Sequence, residues 1–499
     1  MIFLLSSLAI VFYEFNDLVN YIMGSLSSEN KLIEFLSELE KAEINYVVWK
    51  NIHMIDASID GLFNIDLFIP LSQRGRFIEY SKKFNLIKAD DSIINYPWIS
   101  HFYGLGKSDQ IFHLHVYFKI ITGESLIKEY ILPFDDLLLE NKIKHYKYNI
   151  WIVNERINRY LFFLRHLLKN GSILSRLHYL RSLKSYKKEW ESIGNGNIKD
   201  IEDLDFINSN LIQYSNLSNK HLFGLPRVLT SIRFRQRMNI FSRYNSLLIS
   251  PYRCKLFLYR LVNKFTKKKK KMLINGGLIL SFSGVDGSGK SSMAREISMM
   301  FSSTFNVSNY HIGKPHGDFI GNLWHIYKKK MNKMSKRNKE IKNNSSFISS
   351  LLSILIALLR FKLARKIINK ASNGDLVIVD RWPTSYLGGM DGPRISVNNE
   401  SNFLIKRLSE YESWLYKNFP RPDICIFFVV SLETALARNN YRNKKNKETQ
   451  AQIIQRYFSN IDIRPKSKKL IEFVNDGDFI NNKNKLIDIV WKEVCNHTI

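Results

Sequence analysis

Cysteine is scarce in this chain: Cys254, Cys425 and Cys495 are the only three among 499 residues. They lie far apart and show no paired spacing, so neither a disulfide framework nor a cysteine-rich zinc site is expected. Such cysteine usage is typical of a reducing compartment, and we therefore predict a cytoplasmic protein.

Acidic residues are also few, since 45 Asp and Glu stand against 74 Lys and Arg, a formal charge of +29. This excess favours acidic partners: nucleotides, nucleic acid or an anionic membrane surface. The net charge alone does not distinguish among these partners.

Hydrophobic residues make up 45% of the chain and aromatic residues 13%, which is typical of globular proteins. A chain of 499 residues is expected to form two or three domains.

Long apolar runs are missing. Residues 1–15 are apolar but lack the basic start of a signal peptide, and residues 347–359 contain three serines. Both runs are shorter than the ~20 apolar residues that a membrane-spanning helix needs. We predict a buried or amphipathic helix at each, and peripheral contact of the first helix with an anionic membrane stays open.

Three regions follow from the patterns of apolar residues. Residues 1–150 mix a helical pattern at 31–42 with strand patterns at 46–49, 65–69 and 111–118. Residues 151–271 have a mostly helical pattern and end in five lysines, which predict an exposed tether. From 272 to 499, strands alternate with helices, which predicts a parallel sheet covered on both faces. The predicted strands of this last region are 278–282, 307–312, 376–379, 424–430 and 471–474.

Residues 284–291 form a complete phosphate-binding pattern, G-x-x-x-x-G-K-[ST]. A strand-like run precedes it and a helix-like run follows, so backbone N–H groups would form a nest that suits polyphosphate. Lys290 would reach the β- and γ-phosphates, and the Ser291 hydroxyl would bind Mg²⁺. The pattern predicts that a nucleoside triphosphate is bound by Gly284, Gly287, Ser288, Gly289, Lys290, Ser291 and Ser292.

Asp380 and Arg381 directly follow a predicted strand. Ligands of open α/β sheets bind at the carboxyl ends of the strands, so this pair should face the phosphate loop. The aspartate can hold Mg²⁺ or orient an acceptor, and the arginine can bind a phosphate with two hydrogen bonds.

A basic segment comes later, after a short helical pattern. It contains Arg438, Arg442, Lys444, Lys445 and Lys447. Cations that close over a moving phosphoryl group stabilise its charge and exclude water. A solvated helix face is the alternative interpretation of each of these residues.

Several stretches together resemble the thymidylate kinase family of P-loop nucleoside monophosphate kinases. The likeness covers about residues 272–499. It is carried by the phosphate loop with Asp286, by residues 380–385 (DRWPTS), by Pro422 and Asp423 before a strand, by Glu433, Ala435, Leu436 and Arg438, and by residues 475–477 (NDG).

This resemblance implies roles for single residues. ATP and Mg²⁺ would be bound by Lys290 and Ser291, Asp286 would serve the acceptor side, and Arg381 would bind phosphates. Arg438 and Arg442 would act as cations of a mobile lid. The implied fold class is α/β, a P-loop kinase domain with a five-stranded parallel sheet. An α+β domain and a mostly helical region would precede it.

Two segments depart from the family pattern. Residues 313–317 read GKPHG where thymidylate kinases place Arg-Glu-Pro-Gly, and residues 388–394 read GGMDGPR in place of Ala-Tyr-Gln. Both elements line the acceptor pocket in that family. Kinase chemistry is therefore expected, while the acceptor stays open between a nucleoside monophosphate, which we favour, and a sugar or lipid-linked glycan.

The first region resembles the start of nucleotidyltransferase-fold domains, on residues 46–51 and on Gly61, Asn64 and Asp66. Those enzymes hold two Mg²⁺ ions with three carboxylates. Here Asn64 and His113 stand where two of the three are expected. We predict a degenerate domain that binds a nucleotide, an acceptor or a partner without catalysing transfer, with His113 and His115 in the core or hydrogen-bonded.

A different class of function is a regulatory protein that binds ATP or nucleic acid and phosphorylates nothing small. The basic tether and the net charge permit it, but such a protein has no need for Asp380 and Arg381 together with lid cations. A homodimer is also among the partners considered.

Overall fold

The computed structural model describes residues 30–92, 94–106, 110–169, 172–193, 223–224, 227–266, 270–285, 287–313, 347–387, 389, 391–399, 401–440, 449–458 and 464–498. Its contacts divide the chain into two compact units, Met1–Lys269 (unit 1) and Lys270–Thr498 (unit 2). The apolar run at residues 1–15 lies outside the described residues.

Unit 1 is built on a mixed sheet. Within its described residues, seven strands pair in the order β3-β4-β5-β2-β1-β9-β8. The pairs β2–β5 and β1–β9 are parallel, and the others are antiparallel. These strands are β1 (Val47–Lys50), β2 (Asn64–Phe68), β3 (Ile87–Asp91), β4 (Ile99–Leu105), β5 (Ile111–Tyr117), β8 (Lys142–Lys144) and β9 (Trp151–Val153), and a separate hairpin joins β6 (Ile120–Thr122) to β7 (Tyr130–Leu132).

Successive side chains of each strand point to opposite faces of the sheet, and helices cover the apolar side chains. Val48, Ile65 and Leu67 pack with the amphipathic helix α1, whereas Trp49 and Phe68 belong to the cluster that contains α5. The helices of the described part of unit 1 are α1 (Lys31–Lys41), α2 (Ile55–Ile59), α3 (Arg74–Lys83), α4 (Asp135–Glu140), α5 (Glu155–Leu168), α6 (Ile173–Ser192), α7 (Arg227–Arg237) and α8 (Ser246–Thr266).

Unit 2 contains the parallel sheet that the sequence predicts. All five predicted strands form, and their spatial order is β12-β13-β11-β14-β15, every pair parallel. The strand that leads into the phosphate loop therefore lies at the centre of the sheet. The strands are β11 (Leu278–Gly284), β12 (Val307–His311), β13 (Leu376–Asp380), β14 (Ile424–Val429) and β15 (Lys469–Val474), with a short β10 (Lys271–Leu273) before them.

The helices described in unit 2 alternate with these strands. They are α9 (Lys290–Ser302), α10 (Phe347–Ser372), α11 (Phe403–Lys417), α12 (Leu432–Asn440), α13 (Gln450–Tyr457) and α14 (Phe479–Thr498). Buried apolar side chains of α10 pack on the sheet, where Ala364 and Ile367 meet Val377 and Val379.

The sequence prediction for residues 347–359 was wrong in length. The helix α10 continues to Ser372, because the later residues supply a further buried face, and it has 26 residues. Among the described residues it is the one helix long and apolar enough, by length and composition, to cross a membrane. In its second half, Ala364, Ile367 and Ala371 pack against the sheet of unit 2, whereas Ala357 packs against Leu415 and Tyr416 of α11.

Candidate active site

The phosphate loop has the backbone shape that its glycines predict. Gly284 ends β11 with φ +146, and a Cβ there would lie 2.6 Å from the carbonyl oxygen of Phe428. Gly289, with φ +82, forms the N-cap of α9. The loop therefore leads directly to a helix N-terminus, where free N–H groups favour an anion.

The phosphate loop buries two polar side chains, Ser288 and Lys290. The Ser288 hydroxyl has no hydrogen-bond partner among the described residues. The Lys290 side chain is buried and donates to the carbonyl oxygen of Val285 at 3.1 Å. Ser291 and Ser292 are exposed at the start of α9. Asp286, which the resemblance assigns to the acceptor side, lies outside the described residues.

The structure brings Ser291 and Asp380 together. Asp380 ends β13, the neighbour of β11, and its Oδ2 accepts a hydrogen bond of 2.7 Å from the Ser291 hydroxyl. Its other oxygen, Oδ1, is buried and has no hydrogen-bond partner within the described part of the chain. A carboxylate and a hydroxyl beside a phosphate loop are oxygen ligands of the kind that Mg²⁺ prefers.

Arg381 has a left-handed backbone, with φ +70, which is uncommon for a residue other than glycine. Its N–H donates to the carbonyl oxygen of Phe282 at 2.9 Å, which fixes the turn at the strand end. Its guanidinium Nη1 lies 3.9 Å from Asp391 Oδ2. Backbone strain of this kind is common at functional sites.

Arg438 is the one lid cation of the sequence prediction that the structure describes. It lies in the last turn of α12, and a Cβ on Gly289 would be 3.6 Å from its Nη1. That nitrogen is buried and makes no hydrogen bond to the described residues. A cationic donor is thus placed beside the phosphate loop. Arg442, Lys444, Lys445 and Lys447 lie outside the described residues.

Sequence reasoning assigned no role to Asn475 and Asp476, which follow β15. The Asn475 side chain donates from Nδ2 to the carbonyl oxygen of Ser288 at 2.7 Å. Asp476 accepts hydrogen bonds from the backbone N–H of Ser431 at 3.1 and 3.0 Å, just before α12. Asn475 therefore holds the phosphate loop in place, and Asp476 holds the start of α12. Their position at a strand end was the signal available in the sequence.

Sequence reasoning also missed Arg360, a buried arginine of α10. It donates from Nε to the carbonyl oxygen of Ile312 (3.3 Å) and from Nη2 to that of Gly313 (2.7 Å). Nη1 donates to the carbonyl oxygen of Asp391 (2.5 Å) and to the Tyr416 hydroxyl (2.7 Å), and Nη2 to Asp391 Oδ1 (2.9 Å). One side chain therefore joins parts of the two segments that depart from the family pattern.

His311 is close to both Asp380 and Gly313. It ends β12 opposite Asp380, and its Nδ1 accepts a hydrogen bond of 3.2 Å from the N–H of Gly313. Burial lowers the pKa of this imidazole. Its environment includes the charges of Asp380, Arg381 and Asp391, which shows that these side chains share one region of unit 2.

Unit 1 has its own polar cluster at Asp66, on the strand that the nucleotidyltransferase resemblance singled out. Oδ1 of this buried carboxylate lies 3.0 Å from Lys50 Nζ and 2.8 Å from His115 Nδ1, and Oδ2 accepts from Asn51 at 2.7 Å. Burial opposes its ionisation, but Lys50 and His115 lower the pKa of Asp66. The carboxylate is thus engaged by protein cations and donors.

The two histidines of β5 are hydrogen-bonded, as predicted. His113 Nε2 lies 2.9 Å from His101 Nδ1, and His115 donates from Nδ1 to Asp66. Asn64 pairs with His113 across β2 and β5. Within the described ranges, no group of three or more His, Cys, Asp or Glu side chains could hold a metal ion.

Comparisons with known proteins find similarity to an ATP-binding protein and to thymidylate kinases. No protein-family model matches this chain. The uncharacterized ATP-binding protein YghR of Escherichia coli K12 is 25% identical over 173 residues, 32% of this chain and 68% of YghR. The thymidylate kinase of Dictyostelium discoideum is 23% identical over 232 residues, 46% of this chain and 87% of that enzyme.

Two solved structures of thymidylate kinases also match. The enzyme from Candida albicans is 19% identical and covers 45% of this chain and 94% of its own, with a TM-score of 0.29. The enzyme from Ehrlichia chaffeensis is 16% identical and covers 43% and 98%, with a TM-score of 0.23. Unit 2 has a kinase-like P-loop fold. This conclusion rests on its parallel sheet, its phosphate loop and the similarity in sequence.

Proposed function

We propose that this protein transfers a phosphoryl group from ATP to a small acceptor, with Mg²⁺ as the metal. The observation that carries the proposal is the hydrogen bond between Ser291 and Asp380, which joins the phosphate loop to the end of the neighbouring strand. Oδ1 of Asp380, which has no hydrogen-bond donor among the described residues, fits a cation at this place. Similarity to an ATP-binding protein and to a thymidylate kinase supports the same donor.

Each residue has a defined task in this reaction. The N–H groups of the loop and the Lys290 ammonium bind the β- and γ-phosphates, and Arg438 reaches the same phosphates from α12. Ser291 and Asp380 would hold Mg²⁺, which when bound neutralises charge on the phosphates. The Ser288 hydroxyl and Nη1 of Arg438 are buried. A buried polar group interacts with phosphate more strongly than it would in water.

The acceptor belongs to one of two chemical classes. Similarity to a thymidylate kinase favours a nucleoside monophosphate, while the altered segments at 313–317 and 388–394 favour a hydroxyl compound such as a sugar or lipid-linked glycan. Unit 1 would bind a nucleotide, an acceptor or a partner without catalysis, since Lys50 occupies one side of Asp66. The cytoplasmic location and the membrane, nucleic-acid and dimer contacts stay predictions.

The test is ADP formation by the purified full chain with ATP, Mg²⁺ and a panel of monophosphates, nucleosides and sugars. ADP should form faster with an acceptor than without one. Lys290→Met should reduce this rate at least ~100-fold, because it removes a charge from the phosphates and keeps the apolar stem. Lys366→Ala, which removes an exposed lysine of α10, should leave the rate unchanged.

Two results would count against the proposal. The first is ADP formation that no member of the panel accelerates. The second is an equal rate for Lys290→Met and the unchanged chain. If ATP binds, but no acceptor accelerates ADP formation and Lys290→Met does not slow it, the regulatory alternative is supported.

A further inference from the structure

Asp391 has a buried carboxylate oxygen that receives no hydrogen bond from the described residues. Only 8% of this residue is exposed. Its Oδ1 accepts the hydrogen bond from Arg360, but its Oδ2 has no hydrogen-bond partner among the residues that the structure describes. Because a buried polar atom without a partner is destabilising, a ligand group that donates a hydrogen bond to this oxygen would be bound favourably.

This oxygen lies close to residues that follow or end two strands of the parallel sheet. A Cβ on Gly313 would be 2.7 Å from Asp391 Oδ2, 2.9 Å from His311 Cε1 and 3.0 Å from Arg381 Cδ. Gly313 follows the end of β12, and Arg381 follows the end of β13, whose Asp380 contacts Ser291. The carboxylate therefore lies at the carboxyl edge of the sheet, where ligands of such folds bind.

The position of Asp391 is held from several sides. Arg360 binds both its side chain and its carbonyl oxygen. A Cβ on Gly392 would be 2.8 Å from the carbonyl oxygen of Thr384, which is itself buried, so only glycine fits there. Farther along, Glu412 Oε2 accepts from the N–H groups of Arg394 and Ile395 at 2.9 Å each. A carboxylate fixed in this way is pre-organised for a ligand.

The chemistry of a carboxylate selects its ligand. A phosphate dianion presents oxygens that only accept hydrogen bonds, so it cannot satisfy Oδ2 of Asp391, whose charge is already offset by Arg360. A hydroxyl group donates a hydrogen bond and satisfies the oxygen. Arg381 lies 3.9 Å from the same oxygen, so part of its attraction for an anionic acceptor is offset by Asp391.

We propose that the acceptor atom is a hydroxyl oxygen of a polyol, and that Asp391 binds this hydroxyl and accepts its proton. This inference rests on the proposed phosphoryl transfer. As the acceptor oxygen forms its bond to the γ-phosphorus, the bond from that phosphorus to the β,γ-bridging oxygen breaks. ADP leaves with the electron pair, and the hydroxyl proton moves to Oδ2 of Asp391 and then to solvent.

The experiment compares two acceptor panels on the full chain with ATP and Mg²⁺. One panel contains thymidylate, uridylate and adenylate, and the other contains thymidine, uridine, glucose, glucosamine and glycerol. Phosphorus NMR of the product separates a new phosphomonoester, formed on a hydroxyl, from a phosphoanhydride, formed on a phosphate. A phosphomonoester is expected.

Asp391→Asn then tests the residue itself. The substitution keeps the size of the side chain and an oxygen for Arg360, but it removes the base, so kcat for the hydroxyl acceptor should fall at least ~100-fold. ATP affinity should stay within twofold, which also shows that unit 2 is folded. The matched control is Asp423→Asn, at the opposite end of the sheet, where Oδ2 accepts from the N–H of Ile279; its kcat should not change.

Each other outcome overturns the inference. A phosphoanhydride as the sole product would refute the hydroxyl acceptor and leave the proposed kinase function standing. An unchanged kcat in Asp391→Asn would refute the role of the residue. If ATP binds but no member of either panel accelerates ADP formation, the kinase proposal and this inference both fail. Should Asp391→Asn not bind ATP, Asp391→Glu replaces it and must retain measurable transfer.

Discussion

Replacing Arg360 by methionine should destabilise unit 2 strongly. This side chain is 2% exposed and makes five hydrogen bonds, to Ile312, Gly313, Tyr416 and twice to Asp391. Methionine fills much of the volume, but it leaves the Asp391 carboxylate and three carbonyl oxygens without their donor. The charge of Asp391 is then buried without its ion-pair partner.

The size of the effect follows from this geometry. Removal of one partner of a buried ion pair costs about 3–5 kcal/mol of unfolding free energy. For a unit of about 230 residues, each kcal/mol corresponds to roughly 2–4 °C in Tm, so a decrease of about 6–20 °C is expected. The segments around Gly313 and Asp391 should loosen first, since Arg360 joins them.

Calorimetry of the full chain and amide hydrogen exchange in α10, α11 and the segment around Asp391 would measure the loss. Arg365→Met is the matched control, because Arg365 is exposed on the same helix and contacts only the ring of Phe361 among the described residues. Its effect should stay within about 0.5 kcal/mol. Equal, small losses for the two variants would show that Arg360 does not hold these segments.

Two further predictions concern the phosphate loop and unit 1. Gly284→Ala places a Cβ 2.6 Å from the Phe428 carbonyl oxygen at φ +146, so ATP affinity measured by titration calorimetry should fall more than ~10-fold, equivalent to about 1.4 kcal/mol. The control is Gly75→Ala in α3 of unit 1, where a Cβ meets nothing within 4 Å, and it should not have this effect. Burial lowers the pKa of His115 from its usual 6.5 to about 4, against the attraction of Asp66 and together with the repulsion of Lys50 and Lys128. Because the unfolded chain binds this proton first, about 3 kcal/mol of stability present above pH 6.5 should be lost as the pH falls toward 4. Hydrogen exchange of β5 between these pH values should show the loss, and His115→Gln should flatten it; an unchanged slope would contradict the assignment.

Local patterns explain why the phosphate loop and its sheet could be predicted. The loop glycines and Lys290 lie within eight consecutive residues. The three inner strands β11, β13 and β14 are mostly apolar, whereas the edge strands β12 and β15 mix polar and apolar residues. Apolar runs of this length between helices indicate buried parallel strands. The pairing of Ser291 with Asp380 was also expected, because carboxyl ends of parallel strands meet at one edge.

The contact between Arg360 and Asp391 could not be predicted in the same way. Arg360 and Asp391 are 31 residues apart and belong to no known local pattern, so their pairing depends on how α10 packs on the sheet. A long apolar helix gives no sign that one arginine in it is buried. In unit 1, the nucleotidyltransferase resemblance leads one to expect carboxylates where Asn64 and His113 stand. Nothing in the sequence indicated that Lys50 Nζ lies 3.0 Å from Asp66 Oδ1. That contact arises where the register of β1 shifts before Lys50.

The hydrogen bond between Asn475 and the phosphate loop has a consequence for the order of folding. It joins residues 187 positions apart, and the N–H of Ile279 in the central strand binds Asp423, 144 positions away. During synthesis the central strand emerges long before the strands and side chains that complete it, so contacts of high sequence separation govern the rate at which unit 2 folds. Because Asn475 follows β15, its hydrogen bond to the loop can form only when the chain beyond β15 has joined the fold. Under the proposed function, ATP binds the completed loop and should therefore stabilise the folded unit and leave the early folding steps unchanged.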